Sequence, residues 1–470
     1  MIYKTLERYF TLAFQLIVQI VIARILSPTD YGIVAMMAVF ISVANIFINN
    51  GFNMAVIQKK EINDKDFPTA LTINMLIGIF LYVILFFTAP SIAGFYNTPE
   101  LEKTLRILAL ILPFGSIYSI QNAIATRLMH FKNLFICSIL GSVLSGIIGI
   151  VMAVLGFGYW ALIGQQLSNV IIATVALTLS SSWKPRFGFN GFAAKEMFSF
   201  GSHLLVAGLI NQLYNQLNSL VIGKKYTSAD LAFYTKGRVF PSYITTGLES
   251  ALQSVSLSVF SKKQDDKSAL HSLMTKLLQA NTYLSVPILI FFFVCADQII
   301  SFLLTDKWLP AVPFVRLSCA TFIFHPISSI GLQAIAAVGR SDIRLKLEFI
   351  KKPIGILLLL IFLSRGPVGI AMGAMISELI SFVVGLIAVK MIVKYDVSLF
   401  IINILPAFLI SSVVGLGVYI ISFFLSNLHQ FLTLLIEFCF ASAFYFLISY
   451  LFKVKGLELL INQLKSHRKK

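Results

Sequence analysis

Apolar segments of roughly 20 residues, the length that a helix needs to cross a bilayer, follow one another along almost the whole chain. Hydrophobic residues make up 58% of the 470 residues and charged residues only 12%, with a mean hydropathy of +0.87. This balance leaves too little polar surface to cover a water-soluble domain. The sequence therefore predicts an all-α polytopic membrane protein with about 14 transmembrane helices.

A faint internal repeat relates the first part of the chain to a stretch about 200 to 210 residues later. Arg24 precedes Asp30, and Lys224 precedes Asp230, by the same step. Two further matches keep the same order: Ala123-Ile124-Ala125 with Ala334-Ile335-Ala336, and Gly158-Tyr159-Trp160-Ala161 with Gly369-Ile370-Ala371. Two copies in one orientation predict two pseudo-symmetric six-helix lobes around an axis along the membrane normal, as in many transporters.

The repeat and the apolar segments together divide the chain into four parts. We predict an N-terminal lobe at 1–185, a C-terminal lobe at 186–396, two additional helices at 397–452 and a basic cytoplasmic tail at 453–470. The seventh and eighth spans, 198–222 and 239–260, are the least apolar. They are assigned on the strength of the repeat.

Lysine and arginine residues concentrate on one side of the predicted membrane. Because cytoplasmic loops carry the excess of these residues, both termini are predicted to be cytoplasmic. One predicted outer connection departs from the rule, since it carries Lys224, Lys225, Lys236 and Arg238. The net charge of +17 is explained mainly by loops that flank spans, so we expect no nucleic-acid partner.

Short loops and isolated cysteines limit the chemistry that the chain can perform. No connection carries a nucleotide-binding loop, a nucleophile motif or a pair of carboxylates with catalytic spacing. The four cysteines and six histidines show no metal-ligand spacing. We therefore expect a protein that is not an enzyme and that needs neither a cofactor nor a metal.

Charged side chains within the predicted spans are the most informative chemistry. A charge at the centre of a transmembrane helix costs roughly 2.5 to 3.5 kcal/mol. Arg106 and Arg316 occupy corresponding positions in the fourth and tenth spans, and Arg24 and Lys224 end the first and seventh. Related cations in both lobes predict a central cavity that binds an anion, particularly phosphate. The alternative is that these side chains reach lipid headgroups or pair with carboxylates.

Several blocks along the chain resemble a known family. They include Ala23-Arg24-Ile25-Leu26-Ser27-Pro28-Thr29-Asp30-Tyr31-Gly32, Gly156-Phe157-Gly158-Tyr159-Trp160-Ala161-Leu162 and Ala336-Ala337-Val338-Gly339-Arg340. Their order and spacing resemble the polysaccharide flippases of the Wzx/WzxC type, within the multidrug, oligosaccharidyl-lipid and polysaccharide (MOP) exporter superfamily. The resemblance spans nearly the whole chain.

This resemblance implies a MATE-like fold with a central cavity and two extra C-terminal helices, in a bacterial cytoplasmic (inner) membrane. The implied cargo is an undecaprenyl-pyrophosphate-linked oligosaccharide for O-antigen, capsule or exopolysaccharide, moved to the outer leaflet by alternating access. Membrane lipids and a polysaccharide polymerase or export complex are the implied partners. Six cations are the implied headgroup contacts, the last two at the cytoplasmic mouth: Arg24, Arg106, Lys224, Arg316, Arg127 and Lys132.

Three other functions remain open at this stage. A MATE-like drug or cation antiporter should place a carboxylate in the first lobe, whose apolar cores contain none, although Glu249, Glu348 and Glu378 leave ion coupling through the second lobe open. A membrane glycan polymerase or ligase should carry a large outer catalytic loop, which is missing from the sequence. A scaffold role would leave the intramembrane cations unexplained.

Overall fold

The computed structural model describes residues 2–59, 62–181, 183–262, 266–425, 428–459 and 461. Within these residues all regular structure is helical, which confirms the predicted all-α class. The α-helices are α1 (Ile2–Ile25), α2 (Pro28–Asn50), α3 (Phe52–Gln58), α4 (Asp66–Tyr96), α5 (Glu100–Leu108), α6 (Ile111–Arg127), α7 (Phe131–Val154), α8 (Tyr159–Ser180), α9 (Gly191–Lys225), α10 (Ser228–Lys262), α11 (Lys267–Val294), α12 (Ala296–Leu304), α13 (Val312–Ala337), α14 (Ser341–Phe362), α15 (Gly366–Ile392), α16 (Val397–Phe424) and α17 (Gln430–Leu451).

Ten helical stretches of the described residues are long and apolar enough to cross a membrane. One of them, Leu345–Ile392, contains parts of two helices, α14 and α15. The apolar part of α1 is the shorter segment Phe10–Ile25, and the polar helices α9 and α10 are not among the ten. This pattern is compatible with the expected fourteen spans, whose exact number stays a prediction.

The chain forms two compact units, Met1–Ala232 and Phe233–Lys470. In the first unit, α7 packs against α8 and α1, while α4 packs against α6. The long helix α9 also belongs to this unit, where it contacts α2, α3 and α4. The first helix after the repeat boundary at 185/186 therefore packs with the helices that precede it, and the boundary itself stays a prediction.

A shared helix cap explains why the repeat keeps an aspartate after its first cation. Asp30 is the third residue of α2, where its carboxylate accepts from the backbone N–H of Ser27 at 3.0 Å while the Ser27 hydroxyl accepts from the Asp30 N–H at 3.2 Å. Thr227 and Asp230 make the same reciprocal pair at the start of α10, both at 3.1 Å. These capping boxes satisfy otherwise unpaired N–H groups, so the repeated aspartates have a structural role.

A glycine lets the two capped helix starts approach each other within the first unit. A Cβ placed on Gly32 would lie 1.9 Å from the carbonyl oxygen of Ser228. Any larger residue would therefore push the start of α2 away from the start of α10. This contact accounts for the glycine in the Asp30-Tyr31-Gly32 block.

In the second unit, α11 is central because it packs against both α13 and α16. The α13 helix packs against α15, which packs against α14, and α17 packs against α16 and α12. The start of α10 contacts α13 through the edge-to-face rings of Tyr234 and Phe314, 5.9 Å apart. The two C-terminal helices thus attach to this unit through α11 and α12.

A proline in α11 creates the polar contact that holds α17. Pro287 has no N–H, so the carbonyl of Tyr283, four residues earlier, loses its helical donor. The buried hydroxyl of Tyr445 on α17 donates to that carbonyl at 3.0 Å, and the two tyrosine rings lie 5.0 Å apart. No water is present in the bilayer core to donate to an unpaired carbonyl, so the hydrogen bond from Tyr445 replaces the missing helical one.

Replacing Tyr445 by Phe should lower the free energy of unfolding in detergent by about 0.5 to 1.5 kcal/mol, because the Tyr283 carbonyl is left unpaired. Replacing Pro287 by Ala supplies a backbone N–H to that carbonyl. The cost of Tyr445→Phe should therefore be smaller in the Pro287→Ala background. Equal costs in both backgrounds, measured by thermal or denaturant unfolding, would contradict this account.

Candidate functional site

Arg106 lies on α5 and closes a gap in the hydrogen bonding of α4. Pro90 within α4 removes the helical donor of the Phe86 carbonyl. The Arg106 Nε donates to that carbonyl at 3.2 Å, and its guanidinium stands over the Phe86 ring, 4.7 Å from the centroid. Glu102, one turn earlier on α5, pairs with Arg106 at 3.0 Å. The side chain is 30% exposed, so it is held in place without being enclosed.

Arg316 makes the corresponding contacts in the second unit. Its Nε donates at 3.3 Å to the carbonyl of Phe293, in the last turn of α11, and its guanidinium pairs with Asp297 at the start of α12. Both repeat-related arginines thus bind the carbonyl of a phenylalanine on the preceding long helix. In each unit a helix carbonyl accepts a hydrogen bond from the arginine, and this shared contact explains why an arginine recurs at both positions of the repeat.

Two more predicted cations also bind helix C-termini. Arg127 donates from Nη1 to the carbonyls of Val56 and Ile57, at 3.0 and 3.2 Å, where α3 ends. Lys224, in the last turn of α9, donates to the carbonyl of Phe95 near the end of α4 and stands over the Phe95 ring. A cation at this position also offsets the negative end of the helix dipole.

Arg24 and Lys132 are exposed, as is Lys224. Arg24 is exposed in the last turn of α1, and Lys132 is exposed in the first turn of α7. The six cations are therefore placed at helix ends within their own units. A substrate-binding role for all six stays a prediction.

Two cations that the sequence placed in an outer connection lie inside a helix. The connection after α9 is only two residues long, because α10 begins at Ser228 and includes both Lys236 and Arg238, whereas the eighth span was expected to begin after them. Lys236 is 7% exposed. Arg238 stacks on the rings of Tyr234 and Phe322, at 5.4 and 5.8 Å. The break in the charge rule at this point of the chain was the signal that could have drawn attention to both cations.

Arg238 belongs to a group of charged side chains in the second unit, which we call the α15 cluster. Glu378, half-buried on α15, lies within electrostatic range of His325 on α13, Lys351 on α14 and Arg238 on α10. Glu348 on α14 is also within range of Glu378, and pairs with Lys352 at 3.5 Å. Of the predicted coupling residues, Glu378 and Glu348 are thus in one neighbourhood, and the Glu249 side chain lies outside the described residues.

The predicted cytoplasmic end of the first unit carries a second ionic network. Lys59, after α3, pairs at 2.9 Å with Asp66 at the start of α4 and at 2.9 Å with Glu196 on α9. Burial lowers the pKa of Lys59, but the hydrogen bonds and charges of the two carboxylates raise it by more, so the net direction is upward. The network links three helices of this unit around a small cavity lined by Ala55, Gln58, Lys59, Glu196 and Met197.

Comparison with known proteins identifies the family of the chain. Residues 21–313 match the model of a family described as "Polysaccharide biosynthesis protein", over more than half of the chain. The chain belongs to this polysaccharide biosynthesis family. The resemblance to Wzx-type flippases of the MOP superfamily that the sequence blocks indicated is thereby confirmed.

Two relatives and one solved structure are similar to this chain over most of its length. The teichuronic acid biosynthesis protein TuaB of Bacillus subtilis is 25% identical over 79% of this chain and 78% of its own length. The lipopolysaccharide biosynthesis protein WzxC of Escherichia coli is 22% identical, over 77% and 74%. The lipid II flippase MurJ in an inward closed conformation matches with a TM-score of 0.74 at 18% identity, covering 96% of this chain and 99% of that one. The predicted MOP-type fold is thus confirmed.

Replacing Arg106 by Ala should lower stability by about 1.5 kcal/mol, because it leaves the Phe86 carbonyl unpaired and Glu102 without its cation. Replacing Pro90 by Ala restores a backbone donor to the same carbonyl. We expect Pro90→Ala to recover part of the loss in unfolding measurements on the double variant. A loss that Pro90→Ala leaves unchanged would show that the carbonyl contact does not stabilise α4.

Proposed function

We propose that this polysaccharide biosynthesis protein is a flippase for lipid-linked oligosaccharides. It moves an undecaprenyl-pyrophosphate-linked repeat unit from the inner to the outer leaflet of the bacterial cytoplasmic membrane, with both chain termini in the cytoplasm. Two observations together carry the proposal: the family of the chain, and basic side chains that bind backbone carbonyls of long apolar helices in both units. As a transporter it would catalyse no covalent step, and it would pass its cargo to a polysaccharide polymerase or export complex.

The cations suit the headgroup because their structural contacts use only part of their donor capacity. A guanidinium has five N–H donors in a planar fork that matches phosphate oxygens. Arg106 and Arg316 each donate from Nε to a carbonyl, and one further nitrogen of each pairs with a carboxylate. The remaining N–H groups are held at a fixed angle by those contacts. We propose that each arginine can contact a phosphate of the headgroup, as can Arg24 and Lys224 in the first unit and Lys236 and Arg238 in the second.

The two remaining predicted cations have a different place in this proposal. Arg127 and Lys132 lie near the predicted cytoplasmic ends of α6 and α7. Positive charge there would raise the local concentration of an anionic headgroup before it enters. Arg127 also stabilises the end of α3, so its loss should affect folding as well as attraction.

The α15 cluster supports ion coupling through the second half of the chain. A half-buried carboxylate among His325, Lys351 and Arg238 has charge partners on three other helices. Binding a proton or a sodium ion to Glu378 would change the balance of attraction and repulsion among these helices. We propose Glu378 as the coupling residue, with Glu348 in support.

Replacing Arg24 by Ala should reduce oligosaccharide export roughly 10- to 100-fold, because a charge-assisted contact with the pyrophosphate is lost. Arg24→Lys should retain part of the activity, since the charge remains but the planar fork does not. Export is measured in cells that depend on this protein, with its membrane level determined in parallel.

The matched control is Lys103→Ala, which removes an exposed cation from α5. We expect export by this variant to equal that of the unaltered protein. If Arg24→Ala also exports normally at normal protein levels, Arg24 does not contact the headgroup.

Replacing Glu378 by Gln should abolish the dependence of export on an ion gradient, because the amide keeps the shape of the carboxyl group but cannot ionise. The measurement is the initial rate of translocation in vesicles with and without imposed proton and sodium gradients. Glu100→Gln is the control, because it makes the same change at an exposed carboxylate at the start of α5, in the other unit. A gradient response in Glu378→Gln equal to that of the unaltered protein would exclude this residue from coupling.

A further inference from the structure

A cavity of ≈ 780 Å³ lies within the second unit, between α11, α16 and the end of α17. Its long wall is apolar and comes mainly from α16, α17 and the residue that follows α17: Ile402, Leu405, Leu409, Val413, Ile448 and Phe452. Two lysines that follow α17, Lys453 and Lys455, also line it, as do Gln279 and Asn403. The cavity therefore combines an apolar shaft with polar and basic groups.

The polar groups gather at one end of the shaft. The α11 and α16 helices run in the same direction, because Gln279 donates to Asn403 at 2.7 Å while Gly415, further along α16, lies against Ile290. The chain after α17 comes back to the level of the first pair, since a Cβ on Gly456 would lie 2.7 Å from the Cβ of Tyr283. Gln279, Asn403 and the two lysines thus share the end of the cavity that is predicted to be cytoplasmic.

The length of the shaft matches one leaflet of a bilayer. Ile402 and Val413 are eleven residues apart on α16, which is about 16 Å at the helical rise. The hydrocarbon core of a bilayer is about 30 Å thick, so the shaft covers about half of it. A single acyl chain that enters from the cytoplasmic headgroup level would end near the far end of the shaft.

We propose that this cavity binds one anionic phospholipid of the cytoplasmic leaflet. Its phosphate lies between Lys453 and Lys455, and an acyl chain lies along α16 against Leu409 and Val413. Charge complementarity selects an anionic headgroup, and the one-leaflet length selects an acyl chain over the longer polyprenyl chain of the proposed cargo. The bound lipid would stabilise the packing of the end of α17 against α11. The proposal does not depend on which substrate the protein transports.

The backbone at Lys453 provides a clean way to test the proposal. Lys453 has a φ of +49° at the end of α17, where its N–H donates to Tyr450 and the Val454 N–H donates to Ser449. Glycine is favoured at this position of such a helix end, so Lys453→Gly removes the charge without harming the turn. Combined with Lys455→Gln, it removes both cations from the cavity.

The matched control is Lys394→Gly. Lys394 is an exposed lysine with a φ of +57° just after α15, so this variant makes the same change of charge and backbone as Lys453→Gly alone. Lys394 does not line the cavity. A difference in lipid binding between Lys453→Gly and Lys394→Gly therefore reports on the cavity.

The experiment titrates the purified full chain with phosphatidylglycerol and counts bound lipid by native mass spectrometry. We expect Lys453→Gly to bind its tightest phosphatidylglycerol about fivefold more weakly, and the Lys453→Gly/Lys455→Gln variant roughly 25-fold more weakly. Lys394→Gly should bind like the unaltered protein, and phosphatidylcholine should bind weakly to every variant. A second variant, Val413→Trp, fills the apolar shaft without changing charge and should also weaken phosphatidylglycerol binding.

Two outcomes would overturn the proposal. The first is equal phosphatidylglycerol binding by the unaltered protein and the Lys453→Gly/Lys455→Gln variant. The second is a lysine-dependent site that takes undecaprenyl phosphate but not phosphatidylglycerol, which would assign the cavity to the cargo. Neither outcome bears on flippase activity, which is measured separately by translocation of lipid-linked oligosaccharide.

Discussion

The need to satisfy every backbone carbonyl inside a bilayer determines much of how this protein is built. Pro90 and Pro287 each remove a helical donor, and a side chain from another helix replaces it: Arg106 in the first case and Tyr445 in the second. In the hydrocarbon region an unpaired carbonyl has no water to bond, so these side chains stabilise the contacts between helices. A tyrosine does this where the contact is fully buried, and an arginine where the side chain remains partly exposed.

The same requirement gives a structural role to the cations that the sequence predicts within the spans. Four of the six cations proposed from sequence contact carbonyl oxygens at helix breaks or ends. A hydrogen-bond partner lowers the free-energy cost of keeping a lysine or arginine charged in the membrane. The N–H groups that this partner does not use can then donate to an anionic headgroup. Structural anchoring and substrate binding are therefore compatible roles for Arg106 and Arg316.

Much of the fold could be predicted from the sequence because apolar periodicity and duplication are properties of long segments. The helical class and the MOP-type architecture follow from such patterns, as does the weak hydropathy of α9 and α10. The residue-level contacts could not be predicted, because the partner of Arg106 is a carbonyl that only the position of Pro90 leaves unpaired. Likewise, the repeat shows only that an aspartate follows each cation, and the capping boxes in the structure explain why both are present.

The positions of Lys236 and Arg238 show how a helix that begins before its apolar part can hide a candidate site. Hydropathy placed the eighth span after both cations, since the first turns of α10 are polar. The capping box at Thr227 starts the helix earlier, which carries both cations into the helix and brings Arg238 near Glu378. The Thr227-to-Asp230 spacing was present in the sequence and is typical of a helix start.

Translocation by the purified protein tests the central claim most directly. The protein is reconstituted in vesicles with a fluorescent undecaprenyl-pyrophosphate-linked oligosaccharide, and an impermeant reagent then quenches the molecules in the outer leaflet. The account predicts that, under a suitable proton or sodium gradient, protein-containing vesicles expose inner-leaflet molecules that protein-free vesicles keep protected. Equal protection in both kinds of vesicle, with folded protein and under both gradients, would contradict a flippase function.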